Sequence, residues 1–465
     1  MELQFIGAAK TVTGSLHYFK VGEKKFILDC GLVQGKRKEA FELNRTFEFF
    51  EPEEIDFVIL SHAHIDHAGN LPNLVKKGFH GNIYATLATR DLCSVMLLDS
   101  AHIQEKDVEY VNKKRKKQNK NLFEPLYTQQ DVHETMALFV GLNYHRTFKI
   151  DDTISVTFYD AGHILGSALV YLTIKENSKI FNVGFSGDLG RPNLPILRDP
   201  EQIPDVDYFI CESTYGGRFH QAFVKSEENL TEVLKKAIQR KAKIIVPSFS
   251  VGRTQELVYL LNQIFEKGLV PPIPIFVDSP LSVNTTAIFK LHPECFDKET
   301  LSFLNKHHDP FGFEKLKYIT DVEDSKKLNE INGPVMIISA SGMAEAGRIQ
   351  HHLANNIGNP NNIILIVGYC AEHTLGKRIV ERQPEVKIFG EIFQLNAEVI
   401  VLNSLSAHAD ANELIDYCSK FDKIKMKNFF IVHGDEDQQI KFRDRLHSVG
   451  FNQIIIPSRG DVFSL

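Results

Sequence analysis

The sequence predicts an α/β protein, and three observations carry that prediction. Short apolar runs of strand length recur along the chain, and from residue 227 onward they alternate with amphipathic helical stretches, the pattern of a mainly parallel βαβ sheet. The hydrophobic fraction of 43% and charged fraction of 24% are those of an ordinary globular protein, and 465 residues are enough for about two or three domains. One strand end after another carries a histidine or a carboxylate, often beside a glycine that lets the backbone approach closely.

Composition also excludes several classes. No apolar run reaches the ~18 residues of a membrane span. The N-terminus, MELQFIGAAKTVTGS, lacks the basic start and apolar stretch of a signal peptide, so a cytoplasmic protein with no membrane partner is expected. Cys30, Cys93, Cys211, Cys295, Cys370 and Cys418 form no CxxC pair, which argues against a thiolate zinc site or a disulfide framework. The net charge of −6 gives no global attraction to nucleic acid, so a polyanionic partner needs a local positive field.

Taken in order, a strand over 3–6 leads into a Gly/Ala/Thr loop, and strands over 15–21 and 25–29 flank a Gly22-Glu23 turn as a hairpin. The second closes on Asp29, a loop cap or a functional group at a strand end. A strand over 56–60 runs into His62-Ala63-His64-Ile65-Asp66-His67. A helix over 70–77 and a strand over 82–86 follow. Residues 90–145 carry a helical pattern, and the basic run from Lys113 to Lys117 on it reads as a solvated face, with phosphate contact as the alternative. A strand over 154–159 leads to His163, one over 168–174 to a turn, one over 179–185 to Asp188, and one over 207–211 to Glu212. Beyond these come a helix over 227–240, a strand over 243–247, a helix over 252–267 and strands over 273–277, 334–338 and 363–367. Residues 292–333 are more polar and less regular. Strands resume near 399–402, ahead of His408, and a strand over 428–432 ends at His433. A helix over 438–449 and a last strand over 453–457 finish the chain. No repeat or flexible linker interrupts it, which points to one domain inserted into another.

Three histidines and an aspartate within six residues supply ligand types that suit zinc, and such groups are costly to bury unpaired. Together with Asp29, His163, Asp188, Glu212, His408 and His433 they predict a sheet whose strand ends converge on one cleft. The set exceeds what one closed structural zinc needs, and two metals sharing a bridging carboxylate and water fit it better. The expected chemistry is hydrolysis by a metal-bridged hydroxide. Elsewhere, Ser339-Ala340-Ser341-Gly342-Met343 follows a strand and precedes a helix start near Arg348, an anion-binding turn or a plain connection. Arg253 at its helix start and Arg218 after a glycine pair contact phosphate or pair with surface carboxylates.

The motif HAHIDH, His163 in AGHILGS and Asp188 in GFSGDLGR resemble the metallo-β-lactamase superfamily. Glu212 in CESTYGGR, His408 in SLSAHAD and His433 in VHGDED resemble its β-CASP branch of nucleic-acid-processing nucleases. PSFSVGRTQELVYLL, DSPLSVNTTAIF and ISASGMAEAGRIQHHL are similar to bacterial and archaeal homologues of the eukaryotic pre-mRNA 3′-end cleavage nuclease. The resemblance runs essentially the full length. It implies an αββα metallo-β-lactamase sandwich over 1–209 and 399–465, with a β-CASP domain of mainly parallel sheet inserted at 210–398. It implies two Zn2+ ions, with Mn2+ allowed by the donor set. His62, His64 and His163 would hold one ion, Asp66, His67 and His433 the other, and Asp188 would bridge. Asp29 would orient ligands, Asp66 would also be catalytic, and His408, held by Glu212, would protonate the leaving ribose oxygen. Ser339, Ser341, Gly342, Arg253, Arg348 and Arg218 would bind substrate.

Single-stranded RNA is the implied substrate, because RNA-directed members of the branch carry histidine where this chain has His433 and DNA-directed members carry valine. Endonuclease and 5′→3′ exonuclease action are both open, as is a homodimer. Relatives usually have glycine where this chain has His373, which adds a stacking or polar group, and phenylalanine where it has Leu405, a packing change. The rival readings are a small-molecule hydrolase of thioesters or lactones, a DNA-directed nuclease, and a non-catalytic RNA-binding scaffold.

Overall fold

The computed structural model describes residues 1–465 except 36, 221–224, 308, 369, 371–372 and 403–405, so the expectation for Leu405 lies outside the described residues. The described chain divides into two compact units. The first comprises Met1–Pro192, Asp199–Phe219 and His408–Leu465, and the second Asn193–Arg198 and His220–Ala407.

The first unit is built on two seven-stranded sheets, counted among the described residues. One runs in the order Val462–Ser464, Glu2–Phe5, His17–Val21, Lys24–Leu28, Phe57–Ile59, Asn82–Thr86, Phe139–Leu142. The other runs Ile454–Ile455, Asn428–Ile431, Tyr208–Cys211, Lys179–Phe185, Ala168–Glu176, Ile154–Asp160, Phe148–Lys149. Their facing sides form one core of Phe5, Phe26, Phe57, Phe158, Phe185 and Phe430 among others. Phe26 stacks between Phe19 and Phe57 at centroid distances of 4.9 and 4.7 Å. Each such ring, fully buried, contributes about 1.5–3 kcal/mol, which is why a Phe-rich alternation selects this face. Phe57–Ile59 is buried at every position because a helix layer covers its other side. On that side the helix Leu87–Lys117, capped by Thr86, lies against Asn82–Thr86 and Phe139–Leu142. The outer side of the second sheet is closed by Ala411–Cys418 and Glu436–Ser448, whose Leu414, Phe442 and Leu446 pack on Phe209, Phe429 and Ile431. The layers are therefore helix, sheet, sheet, helix.

The second unit carries a six-stranded parallel sheet in the order Leu316–Ile319, Ile275–Asp278, Val335–Ser339, Lys243–Pro247, Ile363–Ile366, Glu398–Val401. Its core joins Ile245, Ile337 and Ile364 of the sheet to Ile349, Leu353 and Ile379 of helices.

Four expectations change. The strand ends belong to two sheets, not one. The helical reading of 90–145 stops at Met136, and Phe139–Leu142 is an edge strand parallel to Asn82–Thr86, too short to show a period of two. Residues 292–333 hold the helices Lys298–His307 and Val322–Lys327 and the strand Leu316–Ile319, elements whose exposed outer faces make them read as irregular. The chain does not finish with its strand at Ile454–Ile455. A further strand, Val462–Ser464, returns to pair antiparallel with Glu2–Phe5.

Candidate active site

The candidate ligands of the first unit come from the ends of both sheets. After Lys24–Leu28 the chain enters Asp29 in the left-handed region, at φ 59°. After Phe57–Ile59, the turn His62–His64 opens the one-turn helix Ile65–Ala68, which holds Asp66 and His67. His163, Asp188, Glu212 and His433 follow strands of the second sheet. Glycine is required where these loops touch. A Cβ on Gly31 would lie 1.6 Å from the Asp66 carbonyl oxygen, and one on Gly190 would lie 2.0 Å from that of Gly162.

Two groups of donors result. His62 Nε2 and His163 Nε2 lie 3.2 and 3.1 Å from His64 Nδ1, and Asp188 Oδ2 lies 3.4 Å from both His62 and His163. In the second group His67 Nε2 is 3.2 Å from His433 Nε2, which is 3.6 Å from Asp66 Oδ2. Asp188 Oδ1 faces this group, 3.3 Å from His67 Nε2 and 3.2 Å from His433 Nδ1. One carboxylate thus presents one oxygen to each group.

A buried serine and carboxylate settle the tautomers. Asp29 accepts hydrogen bonds from the Ser61 amide at 2.8 Å, the Ser61 hydroxyl at 3.0 Å, the Ser15 hydroxyl at 3.2 Å and His67 Nδ1 at 2.6 Å. The Ser61 hydroxyl has one proton, so toward His62 Nδ1, 3.0 Å away, it must accept. The Nδ1 atoms of His62 and His67 therefore carry protons, and their Nε2 atoms face the candidate centres.

The residues fit a metal pair. Ligand atoms about 2.1 Å from a tetrahedral ion lie about 3.4 Å apart, close to the separations seen here. Asp188 Oδ1, between His67 and His433, is buried with no hydrogen-bond partner. Burial first, then neighbouring imidazoles, holds His62 and His163 below the ordinary histidine value and brings His64 down to about 3, which keeps them neutral as metal ligation requires. Burial opposes charge on His67 as well, but Asp188 and Asp29 outweigh it and push His67 well above its ordinary value.

His408 forms a third cluster with Asp188 and Glu212, its ring 4.5 Å from that of His163. Its Nδ1 is 3.1 Å from Glu212 Oε1 and 3.9 Å from Asp188 Oδ2. Burial works against its cation, yet Glu212 and Asp188 prevail and raise it to about 9. Glu212 is fully buried and accepts from the amides of Leu189 at 2.7 Å and Thr214 at 3.2 Å. The bridge between Gly190 and His408 brings the returning chain to this place.

Three family models match the chain. A metallo-beta-lactamase superfamily domain matches 18–186, a Beta-Casp domain 254–379, and a Zn-dependent metallo-hydrolase RNA specificity domain 393–457. Ribonuclease TTHA0252 of Thermus thermophilus is 32% identical over 438 residues, 94% of this chain and 94% of that protein. The chain belongs to the β-CASP branch of the metallo-β-lactamase superfamily. It is a metal-dependent hydrolase of the nuclease class. Transcription termination factor FttA of Methanosarcina mazei is 31% identical over 93% of this chain but 66% of its own length. A solved structure of an Enterococcus faecalis protein of unknown function matches all of this chain at TM-score 0.56 with 11% identity, which shows a common fold alone.

The β-CASP candidates for substrate contact are dispersed. Arg218 is exposed on the first unit. The others lie in the second unit, where most already have partners. Arg253 is buried against Glu256, and Ser339 donates to the Asp278 carbonyl at 2.8 Å. Arg348 pairs with Asp278 at 2.6 Å and donates to the Thr320 carbonyl at 2.6 Å. Ser341 folds back on Ala346, and a Cβ on Gly342 would strike the Phe249 ring at 2.6 Å. His373 is exposed in the left-handed region at φ 68°, where its carbonyl accepts from Arg378. Sequence reading passed over Ser15, Ser61 and Ser167, whose hydroxyl accepts from the His163 amide at 3.0 Å. The one available signal was the position of Ser61, immediately before the histidine cluster.

Proposed function

We propose that the protein is a zinc-dependent ribonuclease that hydrolyses phosphodiester bonds of single-stranded RNA in the cytoplasm, in RNA processing or decay. The observation that carries this reading is Asp188 with one oxygen toward each donor group and the His408–Glu212 pair alongside. His62, His64 and His163 would hold one Zn2+ and Asp66, His67 and His433 the second, with Asp188 available to both. Bound there, the pair supplies Lewis acidity that lowers the pKa of water and polarises a phosphoryl oxygen. Asp29 and Ser61 fix the rings that ligate. His408, kept protonated by Glu212 and Asp188, delivers a proton to the leaving ribose oxygen. The domain inserted at 210–398 would bind the strand through the Ser341–Gly342 turn.

The name of the Thermus ribonuclease, matched over 94% of its length, supports this reading. All six cysteines are buried thiols, as expected in a reducing compartment.

Zinc-loaded protein incubated with end-labelled single-stranded RNA and DNA tests the proposal. Internal RNA fragments indicate endonuclease action and mononucleotides exonuclease action. DNA cleavage alone, or no product from either, overturns it. Asp66→Ala should abolish cleavage with the fold retained. His408→Ala should slow it by about 10²–10⁴-fold while zinc content is unchanged.

A further inference from the structure

The basic run at Lys113–Lys117 has a setting that solvation alone does not account for. It ends the helix Leu87–Lys117, and residues 106–120 carry seven basic and two acidic side chains in a chain of net charge −6. Lysines in a last helical turn are favoured by the helix dipole, so charge by itself decides nothing. The aromatic rings decide. Tyr110 is 62% exposed, with Lys114 Nζ 4.5 Å from its ring centre. Phe123 is 40% exposed, with the Arg115 guanidinium 4.1 Å from its ring centre. The segment bearing Phe123 is tied to the helix by two hydrogen bonds with Asn112, each 2.9 Å. Phe41, 43% exposed, meets Phe123 edge-on at 5.7 Å. A merely solvated helix end gains nothing from holding phenyl rings in water. Exposed rings interleaved with lysines suit single-stranded nucleic acid, whose bases stack and whose phosphates attract cations.

The same helix sets the distance. The Thr86 and Thr89 hydroxyls at its start both donate to the Gly166 carbonyl, in the loop of His163, at 2.6 and 2.8 Å. At ~1.5 Å per residue, Tyr110 lies about 32 Å along the axis from Thr89, and Lys117 about 42 Å. That span corresponds to about ten nucleotides of stacked strand at ~3.4 Å each.

We propose that Tyr110, Phe123 and the lysines between them form an accessory surface for single-stranded RNA, engaging the strand about ten nucleotides from the scissile phosphate. The inference rests on the ribonuclease reading above. Its consequence is length dependence: a long RNA reaches both the candidate centre and the patch, and a short one reaches only the centre.

The test measures binding by fluorescence anisotropy and cleavage by gel on the full chain, using RNAs of about 6 and about 30 nucleotides, lengths chosen to fall below and above the estimated span. The variants are Tyr110→Ala and the combination Lys114→Gln, Lys116→Gln, Lys117→Gln, all at exposed positions, with circular dichroism as the folding control. Each variant should weaken binding of the long RNA about 5–10-fold and leave binding and cleavage of the short RNA unchanged. The triple variant should reduce the salt slope by about 0.7 per lost phosphate contact. Equal loss on both RNAs, or no loss on the long one, overturns the proposal. So does loss of binding to phosphatidylserine vesicles with long-RNA binding intact, which would make the patch a lipid surface. Cleavage that is absent while length-dependent binding persists refutes the ribonuclease reading and leaves the patch standing.

Discussion

Asp29 shows what one residue does at this site. It occupies a left-handed backbone conformation, uncommon outside glycine, and its carboxylate is held by donors from Ser15, Ser61 and His67. That network sets which nitrogens of His62 and His67 are free to ligate. Asp29→Ala should therefore lower zinc affinity by about 10–100-fold although it removes no proposed ligand, as read by competition with a chromophoric chelator. Unchanged affinity would show that the rings hold their orientation without it. The histidine cluster was legible in sequence because its members are neighbours in the chain. The serines were not, since a serine carries no signal until its partner across the fold is known.

At the scale of elements, the second unit contains a buried network of a different kind. Asp278, at the end of Ile275–Asp278, accepts from Ser325 at 2.5 Å, Arg348 at 2.6 Å and His352 at 2.7 Å. It ties the turn after Val335–Ser339 to a neighbouring strand, and this explains why Arg348 is not a free cation. Burial tends to raise the Asp278 carboxyl, but hydrogen bonds from His352, Ser325 and Arg348 outweigh it and leave it below its ordinary 3.8. A folded value below the unfolded one means stabilisation that is complete above that ordinary value and lost as pH falls through the lowered one. Asp278→Asn should destabilise the second unit by about 3–5 kcal/mol at neutral pH. It should also flatten the acid decline of the urea midpoint below about pH 4. Wild-type and variant curves that remain parallel through that range would sink the assignment. Strand-to-ligand succession was readable in the first unit, whereas Asp278 was not singled out, nor were short edge elements such as Phe139–Leu142 and Val462–Ser464. Their existence depends on a partner strand far away in sequence.

At the scale of the whole molecule, the sandwich of the first unit is held by an apolar core of its own, with Phe26 stacked between Phe19 and Phe57, so the fold should outlast loss of the metal. Stripping the metal with a chelator should abolish cleavage, leave far-ultraviolet circular dichroism nearly unchanged and lower the thermal midpoint, with zinc restoring both losses. A metal present at 100 times its dissociation constant contributes about 2.7 kcal/mol to the folded state. A midpoint indifferent to chelation would mean that these donors do not bind metal tightly.

By itself the sequence determined the α/β class, the family through the resemblance of its motifs, and which side chains are candidate donors. Periodicity, ligand chemistry and close spacing are local properties of the chain. The resemblance already implied how those donors are shared, and only the tertiary structure supplies the distances. Asp188 divides its oxygens between two groups, His433 closes the second group against His67, and Glu212 meets His408 from 196 residues away. Each of these is a distance between loops of one sandwich, and such distances exist only once two sheets have packed their phenylalanines face to face.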